Sequence, residues 1–293
     1  MANKAFDDRD GEIWFDGEYV PWREAKFHIL SHSLHYGGAV FEGIRVYNGN
    51  IFKLHEHSKR LVYSANQVGY KLPYSAEQLD HYSQECFEKS GFKNAYIRPV
   101  AWRGAEEMGI GASKCKIHVA IAVWEWPNYF PPEILESGLK LMIPDWKRPP
   151  ADCAPVHAKA SGLYMIATLS KHQAEAAGYN DALMLDYRGR VSECTGANIF
   201  FVNNKDIWTP VPDNFLNGIT KQTVAKIAKD LGYSYTEKII MPDDIKKAEE
   251  VFVTGTAYEV LPVGKINDQE YAIGPVAREL RKAYIQTVGG VHS

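Results

Sequence analysis

Lys159 stands among Ala158, Ala160, Ser161 and Gly162, where little bulk shields its amine and no other cation adjoins it in sequence. A lysine so placed can be desolvated, which lowers its pKa and frees a neutral amine for Schiff-base chemistry. Most lysines are solvated surface charges, so the residues that follow decide the matter. Glu193 lies between Ser192 and Cys194 in a stretch poor in charge. A carboxylate buried there needs a partner, so something cationic should face it. Arg98 shares one face of an expected strand with Tyr96, Val100 and Trp102, a setting suited to carboxylate recognition, to stacking or to a structural ion pair. Arg60 on its own reads as a surface ion-pair residue. His32 and His35 could be taken for a metal pair, but Gly37 and Gly38 follow at once, no third ligand has suitable spacing, and no metal site is expected.

The elements that must position these groups can be read from periodicity. From Ser161, the residues Leu163, Ile166, Ala167, Ser170, Ala174 and Ala177 recur at helical spacing, and Gly178 offers the stop. Asp181 to Leu185 reads as a strand, Tyr187 to Gly189 as a turn, and Val191 to Val202 as a returning strand broken at Gly196. Earlier in the chain, Ile13 to Val20 is a hairpin closed by Asp16-Gly17, and Phe27 to Leu30 is a short strand. Gly37, Gly38 and Gly43 allow close backbone approach, and Asn48-Gly49 is a turn before Ile51-Phe52. Helices are expected over 55–68 and 75–90, the latter stopped by Gly91. Strands follow over 94–102 and 116–126. Pro127, Pro131 and Pro132 interrupt regular structure and place a domain junction at 127–137, between a domain over 1–126 and another over 138–293. The second domain continues with a strand at 139–143, irregular proline-rich backbone over 144–155, and a helix from Ile219 to Leu231 with Val224, Ile227, Ala228 and Leu231 inward. It ends with a strand pair over 252–263 interrupted at Gly255, and a helix over 275–288.

With 293 residues and 45% hydrophobic content the chain can bury a sizeable core. A formal charge of −3 with interspersed signs argues against nucleic-acid or membrane-surface partners. No apolar run approaches the ~20 residues of a membrane span, and the start MANKAFDDRDGE lacks the apolar core of a signal peptide, so the expected compartment is the cytoplasm. Cys86, Cys115, Cys153 and Cys194 form no CxxC pair and are expected to be reduced thiols in or near the core.

Lys159 with Tyr164 five residues on, then SECTGANIF, LNGIT at 216–220 and TGTAYEV at 254–260, resembles the large domain of fold-type IV pyridoxal-phosphate enzymes. With HYGGAVFEGIR at 35–45 and YIRPV at 96–100 added, the chain resembles the branched-chain amino acid aminotransferases over nearly its whole length. The resemblance implies an α+β, two-domain fold with a smaller N-terminal α/β domain and a larger C-terminal domain built on a β-barrel-like core. It implies pyridoxal 5'-phosphate as cofactor. Lys159 would form the imine and act as base, Glu193 would pair with the pyridine nitrogen, and Tyr164 would hydrogen-bond the phenolic oxygen. Ile219 and Thr220 at a helix N-terminus, with Arg60 and Thr256, would hold the phosphate.

For substrate, the resemblance implies that Tyr96 and the amides of Thr256 and Ala257 hold the α-carboxylate. Tyr36, Phe41, Trp126 and Tyr164 would line the side-chain pocket, and Arg98 would meet the second carboxylate of glutamate. Leucine, isoleucine and valine could share such a pocket, because a methylene is worth only ~1–3 kcal/mol of discrimination. The expected reaction is amino transfer between those L-amino acids and 2-oxoglutarate, in a homodimer or higher homo-oligomer, a hexamer included, in which the Gly109–Gly111 loop reaches a neighbouring subunit. Two departures from the family pattern bear on substrate range: Leu163 where many relatives have asparagine, and SECTGAN in place of SEGxGEN. The alternatives are a D-amino acid or (R)-amine transaminase, an aminodeoxychorismate lyase, and a binding protein of the same fold without turnover.

Overall fold

The computed structural model describes residues 5–126 and 130–289. The chain divides into two compact units, the first comprising the described residues up to 126 with Ala158–Leu163, the second the remainder. Residues 127–129, and with them Pro127 and Tyr129, lie outside the described residues.

The first unit contains β1 (Glu12–Phe15), β2 (Glu18–Pro21), α1 (His32–Tyr36), β3 (Val40–Phe41), β4 (Ile44–Tyr47), β5 (Asn50–Ile51), α2 (Leu54–Gln67), α3 (Ala76–Ser90), β6 (Ala95–Arg103) and β7 (Ile117–Glu125). Its strands form one antiparallel sheet in the order β2-β1-β7-β6-β4-β5, with β3 also on β6. The β1–β2 hairpin turns where expected because Asp16 (φ 52°) and Gly17 (φ 104°) both occupy the left-handed region that a two-residue hairpin loop requires. Helix α3 starts at a capping box in which Ser75 and Gln78 satisfy each other's backbone amides. Leu61 and Ala65 of α2 and Leu79 and Phe87 of α3 bury against Trp14, Ile97 and Ile121 of the sheet. Ala158 and Ala160 enter the same core, which fixes their segment to this unit although sequence order places it in the second domain.

The second unit contains α4 (Pro132–Ser137), β8 (Leu139–Met142), β9 (Lys147–Arg148), α5 (Tyr164–Ala176), β10 (Asp181–Asp186), β11 (Val191–Cys194), β12 (Asn198–Asn203), β13 (Asp206–Pro210), α6 (Ile219–Asp230), β14 (Ser234–Lys238), β15 (Glu250–Gly255), β16 (Glu259–Ile266), β17 (Gln269–Glu270) and α7 (Pro275–Thr287). Its sheet is mixed and curls into a half-barrel in the order β11-β10-β8-β16-β15-β12-β13-β14, with β9 on β10 and β17 on β16. Its core joins Leu141, Leu183, Ile199, Phe201, Val253 and Leu261. Helix α5 packs on β10, and α6 and α7 pack on each other and on β15.

Several expectations need correction. Residues 27–30 form no strand: the His28 carbonyl accepts from the Ser31 amide and hydroxyl, closing a turn, and Phe27 and Ile29 are exposed, with no sheet partner to reward extension. The proline-rich junction includes helix α4, because Pro132 sits in the first turn, where its missing N–H costs nothing. The supposedly irregular run 144–155 contains β9, paired in parallel with β10. Leu231 is exposed, since α6 ends at Asp230 and Leu231 is only its cap before Gly232 (φ 84°). The returning strand after Arg190 splits: β11 completes the hairpin with β10, whereas β12, beyond the break at 195–197, pairs with β13 and β15. Among the described residues no helix is long and apolar enough to cross a membrane.

Candidate active site

In the first unit, Lys159 is held by its backbone. Its N–H donates to Ser64 Oγ (2.9 Å) and its carbonyl accepts from Phe41 N–H (3.1 Å), while Ser161 and Gly162 donate to the carbonyls of Ala39 and Gly37. Val40 and Ala160 form an antiparallel bridge. Because extended backbone alternates, burying Ala158 and Ala160 turns the half-buried Lys159 side chain the other way, where its Nζ lies 5.0 Å from the centre of the Phe41 ring. Gly37 (φ 66°) and Gly162 permit this zipper, since a Cβ at Gly37 would stand 3.1 Å from Gly162 Cα.

Arg60 is oriented by a residue that sequence reading passed over. Glu42, 0% exposed, accepts from Arg60 Nε (2.6 Å) and Nη2 (2.9 Å), from His57 Nδ1 (2.7 Å) and from the Gly43 amide (3.2 Å). Burial alone would raise its pKa, yet the charges and hydrogen bonds of Arg60 and His57 hold it well below the usual carboxylate range. Burial lowers the pKa of His57 against the opposing pull of Glu42, whose carboxylate its Nδ1 meets.

Arg98 lies 4.9 Å over Phe41 and 5.4 Å over Tyr96, and donates to Tyr96 Oη at 3.4 Å; its buried Nε has no hydrogen-bond partner among the described residues. It lines an apolar cavity of about 530 Å³ together with Phe15, Phe27, Val100, Trp102 and Ala122. Tyr96 stacks on Trp124 (5.0 Å) and contacts Trp126 (4.6 Å). Tyr36, in α1, is 46% exposed. A Cβ at Gly43 would fall 1.8 Å from Tyr96 Oη, so only glycine leaves that ring its place. Gly43→Ala is therefore expected to lower stability by about 1–3 kcal/mol through overpacking, read by denaturant unfolding.

In the second unit, Glu193 on β11 has the cationic partner it requires: Arg148 Nη1 stands 2.9 Å from its Oε1. Arg148 is fixed in turn by donating Nε to the Asn214 carbonyl (3.0 Å), and Asn214 bridges Ser192 and Asp186. This network is buried and offsets the cost of burying the carboxylate. The need for a cation was legible in the sequence, but not which one.

Asn198 then joins the remaining parts. Its Nδ2 donates to Glu193 Oε2 (3.4 Å) and the Leu216 carbonyl (3.0 Å), its Oδ1 accepts the Gly218 amide (3.2 Å), and its backbone faces Thr254 across β12 and β15. Gly218 is required there, since a Cβ would meet Asn198 Oδ1 at 2.2 Å. Helix α6 begins at Gly218 with no side-chain cap, so the first-turn amides at Ile219 and Thr220 suit an anion. Thr256 and Ala257 open the three-residue turn between β15 and β16, two positions beyond Thr254, whose buried hydroxyl has no partner among the described residues. Tyr164 is the half-buried first residue of α5. Among the described residues, no group of three or more His, Cys, Asp or Glu side chains could hold a metal. Cys86, Cys115 and Cys194 are buried thiols, and Cys153 is exposed.

The Amino-transferase class IV family matches residues 39–266. The branched-chain-amino-acid aminotransferase of Pseudomonas aeruginosa is 39% identical over 290 residues, covering 97% of this chain and 94% of that protein. The Escherichia coli K12 enzyme of the same name is 35% identical, covering 93% and 91%. Among solved structures, the branched-chain amino acid aminotransferase of Thermoproteus uzoniensis with norvaline superposes with a TM-score of 0.90 at 36% identity, over 94% of both chains. The Escherichia coli structure gives 0.92 at 34%, over 97% of both. With a family match across most of its length and fold-type IV neighbours at this similarity, the chain belongs to the class IV aminotransferases.

Proposed function

We propose that the protein transfers the amino group between L-leucine, L-isoleucine or L-valine and 2-oxoglutarate, giving branched-chain 2-oxo acids and L-glutamate, with pyridoxal 5'-phosphate as cofactor. The observation that carries the reading is the Asn198 hub, which ties a buried carboxylate at Glu193 to the uncapped start of α6. Those groups fit a phosphorylated pyridine: a carboxylate to accept from the ring nitrogen and helix amides to donate to the phosphate. When bound, the cofactor supplies an aldehyde for covalent attachment and a ring that accepts electrons.

Lys159 would provide the attaching amine and, once released by substrate, carry the proton away from the substrate Cα. Glu193, braced by Arg148, would keep a proton on the ring nitrogen. Tyr164 would donate to the phenolic oxygen. Ile219 and Thr220 would bind the phosphate, with Arg60 and Thr256 adding to it. Tyr96 and the amides of Thr256 and Ala257 would orient the α-carboxylate. Phe41, Tyr36 and Trp126 would exclude water from the apolar side chain, and Arg98 would receive the second carboxylate of glutamate. A soluble homo-oligomer in the cytoplasm, binding amino acids and 2-oxo acids but not nucleic acid or membrane, is part of the same proposal.

Supplying L-leucine or D-alanine with 2-oxoglutarate tests the substrate class: glutamate should form with L-leucine, and transfer from D-alanine alone would overturn the reading. Glu193→Gln should lower kcat by about 10²-fold, because a neutral amide cannot hold the proton on the nitrogen, while cofactor affinity measured by fluorescence titration changes far less. Equal losses in both would count against its role.

A further inference from the structure

Asp181, at the start of β10, is 1% exposed, a carboxylate well removed from water. Among the described residues three donors reach it: Thr195 Oγ1 (2.5 Å) and the Ala182 amide (2.8 Å) on Oδ1, and Tyr258 Oη (2.8 Å) on Oδ2. The donors come from three separate places: β10, the break between β11 and β12, and the turn between β15 and β16. Tyr258 is the residue after Thr256 and Ala257. Its ring packs on Phe130 (5.1 Å between centres) and lies against the backbone of two glycines, since a Cβ at Gly196 or Gly255 would stand 3.6 or 3.4 Å from it. A Cβ at Gly255 would also meet the Gly196 carbonyl at 3.1 Å, so the two loops are closely packed under that ring.

We infer that Tyr258 is a positioning residue for substrate carboxylate recognition, its hydroxyl tethering the Thr256–Ala257 turn to the buried carboxylate of Asp181. The inference rests on the reading that those two amides hold the α-carboxylate. A short turn of three residues has few interactions of its own to fix the direction of its amides. A hydrogen bond to a buried carboxyl group that takes further donors from two other places is well placed to hold that direction. Anchoring the residue next to the paired amides therefore pre-organises them before substrate arrives, and lowers the ordering cost of binding. Thr195, in the SECTGAN segment, serves the same acceptor from the other side, which gives that variant sequence a place in the site.

The test is Tyr258→Phe in the full-length, cofactor-loaded protein, which removes one hydroxyl and keeps the ring packed. KM for both L-leucine and 2-oxoglutarate should rise about tenfold with kcat changed less than about twofold. The dissociation constant of 4-methylvalerate, a carboxylate without an amino group, should rise by the same factor. Tyr271→Phe is the control, because Tyr271 Oη also makes a tertiary bond, to the Ile245 carbonyl (3.2 Å), away from this turn. It should lower the melting temperature and leave KM unchanged. An unchanged KM in Tyr258→Phe, or losses of kcat and KM in proportion to the loss of stability in both variants, overturns the inference. If the unaltered protein transfers no amino group from L-leucine, the underlying reading fails instead, and the two failures are separately visible.

Discussion

Lys159→Ala is expected to lower turnover of L-leucine with 2-oxoglutarate by about 10⁴-fold or more, since one side chain is asked to supply both covalent attachment and proton transfer. The fold should survive the change. The contacts that seat this segment are backbone ones: the amide to Ser64, the carbonyl to Phe41, and the Val40–Ala160 bridge. Alanine retains all of them. What is lost on the side-chain side includes a cation poised over Phe41, worth about 0.5–1 kcal/mol in such settings. Near-UV circular dichroism and thermal unfolding should therefore match the parent protein closely, while the absorbance band of the lysine-bound cofactor disappears. Activity within tenfold of the parent would remove Lys159 from its assigned role.

Glu42→Ala is expected to cost about 3–5 kcal/mol of stability at neutral pH, the range for breaking a buried ion pair by deleting one partner. The loss has two parts: Arg60 and His57 both lose their acceptor, and the Arg60 guanidinium loses the fork that orients it. Glu42→Gln should recover part of the stability, because one carbonyl oxygen still accepts. The pH dependence follows from the depressed pKa of Glu42. A carboxyl that ionises more readily when folded adds stability that is fully present above its unfolded pKa of about 4.3, and that is lost as pH falls through the lower folded value. The gap between parent and Glu42→Ala in urea unfolding should thus stay constant from pH 8 to 5 and narrow only under more acid conditions. A gap that vanished by pH 6 would show that the Glu42–Arg60 pair does not carry the difference.

Much of this protein could be read from local pattern. The β1–β2 hairpin, α2, α3, α5, α6 and α7 all lie within a few residues of where periodicity and glycine stops put them, because these signals act over a turn or two of chain. Two errors, at residues 27–30 and in α4, share a cause. A short apolar run or a proline pair has no unique local meaning, and the presence or absence of a neighbour settles it.

Site chemistry divides the same way. Residue type and motif singled out Lys159, Glu193 and the start of α6, since an amine among small residues, a lone acid and a glycine before a helix are visible in one stretch of sequence. Partners are not visible in that way. That Arg148 braces Glu193, that Glu42 directs Arg60, that Asn198 links β11 to α6, and that Asp181 receives Tyr258 all depend on strand order. The decisive event is β12 leaving its hairpin to lie between β13 and β15. Distant pairing of that kind is chosen by the burial and hydrogen bonding of the whole sheet, to which each residue contributes only a fraction, so no short segment can announce it.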